Sequence, residues 1–223
     1  MTAGRFPEIT VKPNLTLNPI LQSQIYVIDD FFSPTELKAI LKWTENVKME
    51  NPKPPGKGEA ERTARRGFID SPEIANKLLE LLLPYLNQLS PEYESKIPLL
   101  SPNIRIYHYP IKTYFKCHYD SPTLDLNSNR LSCWTILIYL SNNLKGGGTS
   151  FYTSSKNKRD SRKNKSKESK KGEEEEEEKI TVEPKAGRLL LHWHGMKNGG
   201  CLKHEGDEIL KGDKWVLRTD LLA

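Results

Sequence analysis

Cys117-His118-Tyr119-Asp120 sets an imidazole and a carboxylate two positions apart. On a β-strand alternate side chains share a face, so His118 and Asp120 point the same way and can fill neighbouring positions on one metal ion. A third donor lies far along the chain, His204 in Leu202-Lys203-His204-Glu205-Gly206. Two imidazoles and one carboxylate make the facial set of non-haem iron(II) oxygenases, which leaves positions of an octahedral ion open for a chelating cosubstrate and O2. Zinc hydrolases use mixed nitrogen and oxygen donors too, so the set alone leaves the metal open between iron and zinc. In the iron reading Asp120 is a ligand and not a general base, and no catalytic side chain beyond the ligands is required.

Lys214 follows His204 by ten residues, across a turn marked by Gly212. A buried ammonium is costly unless paired, and the far end of a dicarboxylate cosubstrate would supply the partner. Gly146-Gly147-Gly148-Thr149 permits a tight bend and close backbone approach, then sets a hydroxyl on the strand that leaves it. His192 and His194 sit two apart on one strand face, as pocket-lining groups or an alternative metal pair. Arg218 could assist with a carboxylate, although beside Leu217 and Asp220 it reads more simply as half of a surface charge pair. His108 reads as structural, and Trp193 and Trp215 as core or pocket wall.

The elements that must position these groups fall in two stretches. Residues 1–22 read as an extended lead-in to a single domain over 23–223. Gln24–Asp29 reads as a strand. Ser33-Pro34-Thr35-Glu36 has Ser at N-cap, Pro at N1 and Glu at N3, the signature of a helix start. Leu37, Ile40, Leu41 and Val47 then give one buried stripe to about residue 48. A polar loop spans 50–66. Ser71-Pro72 opens a second helix with Ile74, Leu78, Leu79, Leu82 and Leu83 on its apolar face, and Pro84 is expected to end or kink it. These helices make a support over 33–90. From residue 103 strands take over: Ile104 and Ile106 alternate with Arg105, Tyr107 and Tyr109, and Leu131–Leu140, Gly187–His194 and Lys214–Leu222 follow. The pattern predicts a mainly β domain with flanking helices, its core over 103–222 a double-sheet jelly roll or barrel.

The chain of 223 residues suffices for one sizeable core. Its charge is concentrated in residues 154–179, where nine Lys and Arg between Lys156 and Lys171 stand against two acids and Glu173–Glu178 follow. So few apolar groups cannot offset ordering entropy, which predicts a disordered surface insertion between two strands. The two blocks nearly cancel, so the net charge of +5 gives little support to a nucleic-acid-binding face. The basic half could serve as a nuclear localisation signal, with a solvated tract the simpler reading. Three cysteines without a C-x-x-C spacing fit a reducing compartment. With no apolar leader and no long apolar run, the expectation is a cytoplasmic or nuclear protein with no membrane partner.

The order of motifs resembles the prolyl 4-hydroxylase-like family of Fe(II)/2-oxoglutarate-dependent dioxygenases. The pieces are Arg105-Ile-Tyr-His-Tyr109, Phe115-Lys-Cys-His118-Tyr-Asp120, Thr135-Ile-Leu-Ile-Tyr139-Leu140-Ser141, Gly147-Gly148-Thr149-Ser-Phe151, Val182-Glu-Pro184-Lys-Ala-Gly187 and His204-Glu-Gly206 with Gly212-Asp-Lys214. The resemblance implies a double-stranded β-helix (jelly-roll) core, Fe(II) on His118, Asp120 and His204, and Lys214 paired with the far carboxylate of 2-oxoglutarate. It gives the Tyr109 and Thr149 hydroxyls to that same carboxylate. It implies O2 as oxidant, ascorbate (vitamin C) as reductant, and hydroxylation coupled to release of succinate and CO2. Two departures leave the substrate open between a protein side chain and a small molecule. The charged insertion separates Phe151 from Val182, and Arg130 is out of step with an arginine that some prolyl hydroxylases use for peptide contact. The rival readings are a nucleic-acid-modifying oxygenase and a non-catalytic binding module on the same fold.

Overall fold

Period-two alternation in the central strands sets the architecture. The computed structural model describes residues 4–89, 97–154, 177–197 and 199–222. Along the chain run β1 (Asn18–Leu21), β2 (Ile25–Ile28), α1 (Pro34–Thr44), β3 (Met49–Glu50), β4 (Arg65–Asp70), α2 (Pro72–Leu86), β5 (Leu99–Leu100), β6 (Asn103–Tyr109), β7 (Phe115–His118) and β8 (Leu124–Asp125). Then come β9 (Arg130–Tyr139), β10 (Lys145–Gly146), β11 (Thr149–Ser154), β12 (Glu177–Val182), β13 (Leu189–Trp193), β14 (Lys203–Gly206), β15 (Ile209–Lys211) and β16 (Lys214–Leu222).

The major sheet has the order β1-β2-β13-β9-β16-β6-β4-β3, with β5 beside β16 and β8 beside β9. A minor sheet has the order β12-β11-β14-β7, and β10 pairs with β15. On the inner face of the major sheet, Tyr107, Tyr109, Tyr139, Leu190 and Val216 pack with Phe151 and Val182 of the minor sheet. On its outer face, Ile104, Ile106, Ile136, Ile138, Leu189 and Leu217 pack with Leu37 and Ile40 of α1 and Ile74, Leu78 and Leu82 of α2. Two antiparallel sheets closed over one apolar layer form the jelly roll. Because β9 and β13 are buried on both sides, they read as largely apolar runs.

α1 begins as its residues require. Ser33 Oγ accepts from the Glu36 N–H at 3.3 Å, and Glu36 Oε2 accepts from the Ser33 N–H at 2.7 Å. Glu36 also accepts from the Thr10 N–H at 2.9 Å and pairs with Lys12 at 2.7 Å. The lead-in over residues 4–22 is tied to the domain. Thr10 and Lys12 are tied to α1, Phe6 meets Trp43 edge-on at 4.9 Å, and β1 pairs with β2.

The helix limits differ from those expected. α1 stops at Thr44, and Val47 is buried from the turn beyond it. α2 runs through Pro84 to Leu86. Leu83 and Pro84 face solvent, where one missing backbone bond is tolerated, while Tyr85 and Leu86 keep the last turn docked. Leu81, not Leu83, completes the buried face. The loop expected over 50–66 hides the approach to β4, which lies along β6 from Arg65 to Asp70. At the far side of the minor sheet Glu177–Lys179, expected to be unstructured, pair with β11 as part of β12. The rest of that insertion, residues 155–176, lies outside the described residues. Among the described residues no helix is long and apolar enough to cross a membrane.

Burial would raise the Glu36 carboxyl, but Lys12 and the Ser33 and Thr10 amides outweigh it and hold the group near a pKa of about 2. Glu36→Gln is expected to lower stability by ~1–3 kcal/mol near neutral pH. Since the carboxyl titrates at 4.5 unfolded and about 2 folded, the gap from wild type should close as pH falls through that window. Urea midpoints of the two proteins across that range check this, and a gap independent of pH would contradict it.

Candidate metal centre

β7 and β14 are hydrogen-bonded neighbours, and His118 stands directly opposite His204. Their rings lie 4.3 Å apart. Asp120, just beyond the end of β7, completes the group: His118 Nε2 is 3.9 Å from its Oδ1 and His204 Nε2 is 3.8 Å from its Oδ2. Each of the three residues offers a ligand atom within 4.8 Å of the other two.

The protonation states suit a cation. His118 Nδ1 lies 2.8 Å from the Lys116 carbonyl oxygen and His204 Nδ1 lies 2.9 Å from that of Leu202. A carbonyl only accepts, so both Nδ1 atoms carry the proton and both Nε2 lone pairs face Asp120. Burial, with the His204 ring beside it, pushes His118 down to about 4, and burial depresses His204 too. Burial alone would raise Asp120, but the Arg218 guanidinium outweighs it, and the carboxyl stays well below the usual range. Two neutral imidazoles and an ionised carboxylate are the forms that coordinate metals.

Arg218 is not a surface charge. β16 lies between β6 and β9, so its inward residues are enclosed. Arg218 Nη2 donates to Asp120 Oδ2 at 3.0 Å, to Thr135 Oγ1 at 3.3 Å and to Asp220 Oδ1 at 3.3 Å. Thr135, which sequence reasoning missed, donates to Asp120 Oδ2 at 2.8 Å. Its only sequence signal is a hydroxyl in an otherwise apolar stretch of β9.

His192 and His194 do not act as a pair. His194 Nδ1 lies 3.0 Å from Thr135 Oγ1 and its Nε2 lies 2.9 Å from Ser132 Oγ. Because Thr135 gives its proton to Asp120, His194 Nδ1 donates to Thr135 and Nε2 accepts from Ser132, which makes His194 a prop for Thr135. His192 enters the site itself, with Nε2 3.6 Å from Asp120 Oδ2 and its ring 4.6 Å from that of His204. His108 stacks on Trp215 at 4.1 Å and meets Asp213 at 3.1 Å, a structural role as expected.

Lys214 is buried opposite Tyr109 on β6. Its ammonium donates to the Gly147 carbonyl and sits 5.1 Å from the Tyr109 ring and 5.4 Å from the Tyr139 ring. Burial depresses it to about 8. Gly147 has φ +74°, and a Cβ there would lie 2.3 Å from Ile209 Cδ1, so only glycine brings this carbonyl to the ammonium. Thr149 Oγ1 lies 2.7 Å from the Tyr139 hydroxyl. One cavity of about 40 Å³ touches Lys214, Tyr109 and Thr149 as well as His118, Asp120 and His204. An open groove of about 920 Å³, bordered by Pro52–Pro55, Arg62, Arg66 and Lys203, reaches His118 from outside.

The His118 imidazole titrates at 6.5 unfolded and about 4 folded, so the unfolded chain binds more protons between those values. The stability of the metal-free protein is expected to be retained above 6.5 and to fall as pH drops to about 4. Burial of His192 and His204 adds to the same trend. Denaturant midpoints that stay level across this window would contradict it.

No curated protein matches the chain. The sequence profile of the 2OG-Fe(II) oxygenase superfamily matches residues 104–219, just over half of it. Among solved structures, the viral collagen prolyl hydroxylase of Paramecium bursaria Chlorella virus-1, in its 2OG complex, is 16% identical with a TM-score of 0.59, over 90% of this chain and 96% of that one. The prolyl hydroxylase of Trichoplax adhaerens, solved with a peptide fragment of the hypoxia inducible factor oxygen degradation domain, is 16% identical with a TM-score of 0.57, over 94% and 88%. HygX from Streptomyces hygroscopicus, with nickel and 2-oxoglutarate bound, is 16% identical with a TM-score of 0.53, over 89% and 82%. The likeness to these structures is one of fold. Taken with the matched profile, it means that this chain belongs to the 2OG-Fe(II) oxygenase superfamily, dioxygenases that use Fe(II), 2-oxoglutarate and O2, and shares the fold of the prolyl hydroxylases.

Proposed function

We propose that the chain hydroxylates a protein side chain, with iron held by His118, Asp120 and His204 and 2-oxoglutarate anchored by Lys214. One observation carries the cosubstrate assignment. Lys214 is 3% exposed, yet among the described residues no carboxylate lies within ion-pair reach of its ammonium. A buried cation without an anion is costly, and a dicarboxylate entering the cavity relieves that cost. Tyr109, with its phenol kept neutral by burial, and Thr149 add hydroxyls beside the same ammonium.

When bound, the iron and its cosubstrates supply the oxidant for a C–H bond while 2-oxoglutarate becomes succinate and CO2. This chain's residues set up that chemistry. The Lys116 and Leu202 carbonyls hold the two imidazoles in the ligating tautomer. Thr135 and Arg218 occupy Asp120 Oδ2 at 2.8 and 3.0 Å, while Oδ1, among the described residues, accepts one longer hydrogen bond, from Arg218 at 3.4 Å. That leaves Asp120 one freer oxygen, which favours single-oxygen ligation and keeps positions on the ion open. The open groove of about 920 Å³ beside His118 supports a protein substrate over a small molecule. Ascorbate is assigned as reductant. The three free cysteines, Cys117, Cys133 and Cys201, support a cytoplasmic or nuclear setting.

Anaerobic titration with Fe(II) and 2-oxoglutarate is expected to develop the weak visible band of an iron–keto acid complex, and His204→Ala to abolish both the band and succinate release. Lys214→Ala should weaken 2-oxoglutarate on the order of 100-fold. In the wild type that affinity should fall as pH rises through about 8, where the ammonium loses its proton. Wild-type protein that forms no band would end the reading. Arg218→Gln is expected to weaken iron on the order of 10–100-fold, measured by competition with a chelator. Unchanged iron affinity would remove Arg218 from the site's support.

A further inference from the structure

His204 belongs to two donor sets. Besides the set with His118 and Asp120, it forms one with His192 and Cys201, in which the three ligand atoms again lie within 4.8 Å of one another. β13 carries His192 on the inner face, β14 carries His204, and Cys201 lies in the connection between them. His192 is 2% exposed, and among the described residues its Nδ1 has no hydrogen-bond partner. A buried imidazole nitrogen left unmatched is costly, and a ligand would remove that cost. Cys201 is a free thiol whose Sγ accepts from the Asp120 N–H at 3.3 Å and lies 3.8 Å from His204 Nδ1. Burial pushes the Cys201 thiol up to about 12 despite that amide, and its S–H donates to the Leu202 carbonyl at 3.3 Å, so a metal ion must displace the thiol proton as it binds. One sulfur with two imidazoles is a softer set than two imidazoles with a carboxylate, and it suits zinc(II) and like ions over iron(II).

We propose that His192, Cys201 and His204 form a second cation site, for thiophilic ions of the zinc(II) class, and that filling it withdraws His204 from His118 and Asp120. Ligation through His204 Nδ1, the atom beside Sγ, moves that nitrogen's proton to Nε2, and the Cys201 S–H bond is replaced by a sulfur–metal bond with its proton released to solvent, with no change of oxidation state. Zinc then inhibits by taking a ligand from the iron. This consequence rests on the iron reading given above, whereas the second site itself does not.

Cobalt(II) separates the two sets, because ligation through sulfur gives a strong near-ultraviolet charge-transfer band that nitrogen and oxygen donors do not. Full-length His118→Ala, which lacks the competing set, is titrated with cobalt(II) under anaerobic conditions and its fold verified by circular dichroism. The sulfur–cobalt band is expected to saturate at one equivalent, to vanish when Cys201→Ser is added, and to be displaced by zinc(II). Should His118→Ala not fold, His118→Asn takes its place in the same titration. In the wild type, zinc(II) is expected to bleach the iron–2-oxoglutarate band at concentrations on the order of 10-fold lower than in Cys201→Ser. A folded His118 variant without the sulfur–cobalt band overturns the second site. Equal zinc sensitivity of wild type and Cys201→Ser overturns the inhibition. Failure of the iron–2-oxoglutarate band to form in untreated wild type would instead reject the iron reading, and the cobalt spectrum would still decide the second site.

Discussion

The pairing of β7 with β14 is the constraint on which the centre depends. It sets His204 across from His118, although the chain between them passes through most of the jelly roll. Backbone hydrogen bonds of the β7–β14 pair hold that juxtaposition. A slip of one residue would turn His204 to the other face of the minor sheet. Phe151 of β11 stands opposite His204 on the other side and is fully buried, which closes the site from that flank.

The major sheet supplies the charges. Lys214 and Arg218 lie on one face of β16, four residues apart, with Val216 between them. Each cation is enclosed because β6 and β9 flank the strand and the minor sheet covers it. Arg218 finds Asp120 and Asp220, while Lys214, among the described residues, finds a carbonyl and two aromatic faces. That asymmetry divides the cavity into a region matched in charge and one where, among the described residues, no carboxylate pairs with the ammonium. Lys214 is mostly charged at neutral pH only because its depressed pKa still lies near 8.

The centre was legible in the sequence where chemistry and periodicity coincided. His118 closes β7 and Asp120 lies two residues on, just past the end of the strand, so the short spacing was informative although the shared strand face expected for the pair is not formed; Lys214 does begin a strand, as expected. Thr135 and the inward turn of Arg218 were not legible, because their meaning depends on which strands become neighbours. In register, Thr135 stands between His192 of β13 and Asp220 of β16, a row that no local pattern announces. The edge strand β4 escaped for another reason: Gly67 is its one buried residue, so it has no apolar alternation to detect. α2 outran its proline because tertiary burial of Tyr85 and Leu86 outweighed a local breaker.

The hairpin of β11 and β12 bears on how the gene can vary. Ser154 and Glu177 are cross-strand partners, three positions along β11 from the level of His204, or ~10 Å. Whatever joins them starts and ends at one point, away from the metal. For any flexible connection between two adjoining strand ends, the entropy of closure rises by only about 0.6 kcal/mol for each doubling of its length. The charged tract can therefore lengthen, shrink or change composition over evolutionary time while the catalytic scaffold stays intact. The same stem offers an engineer a place to splice in a tag or a foreign domain.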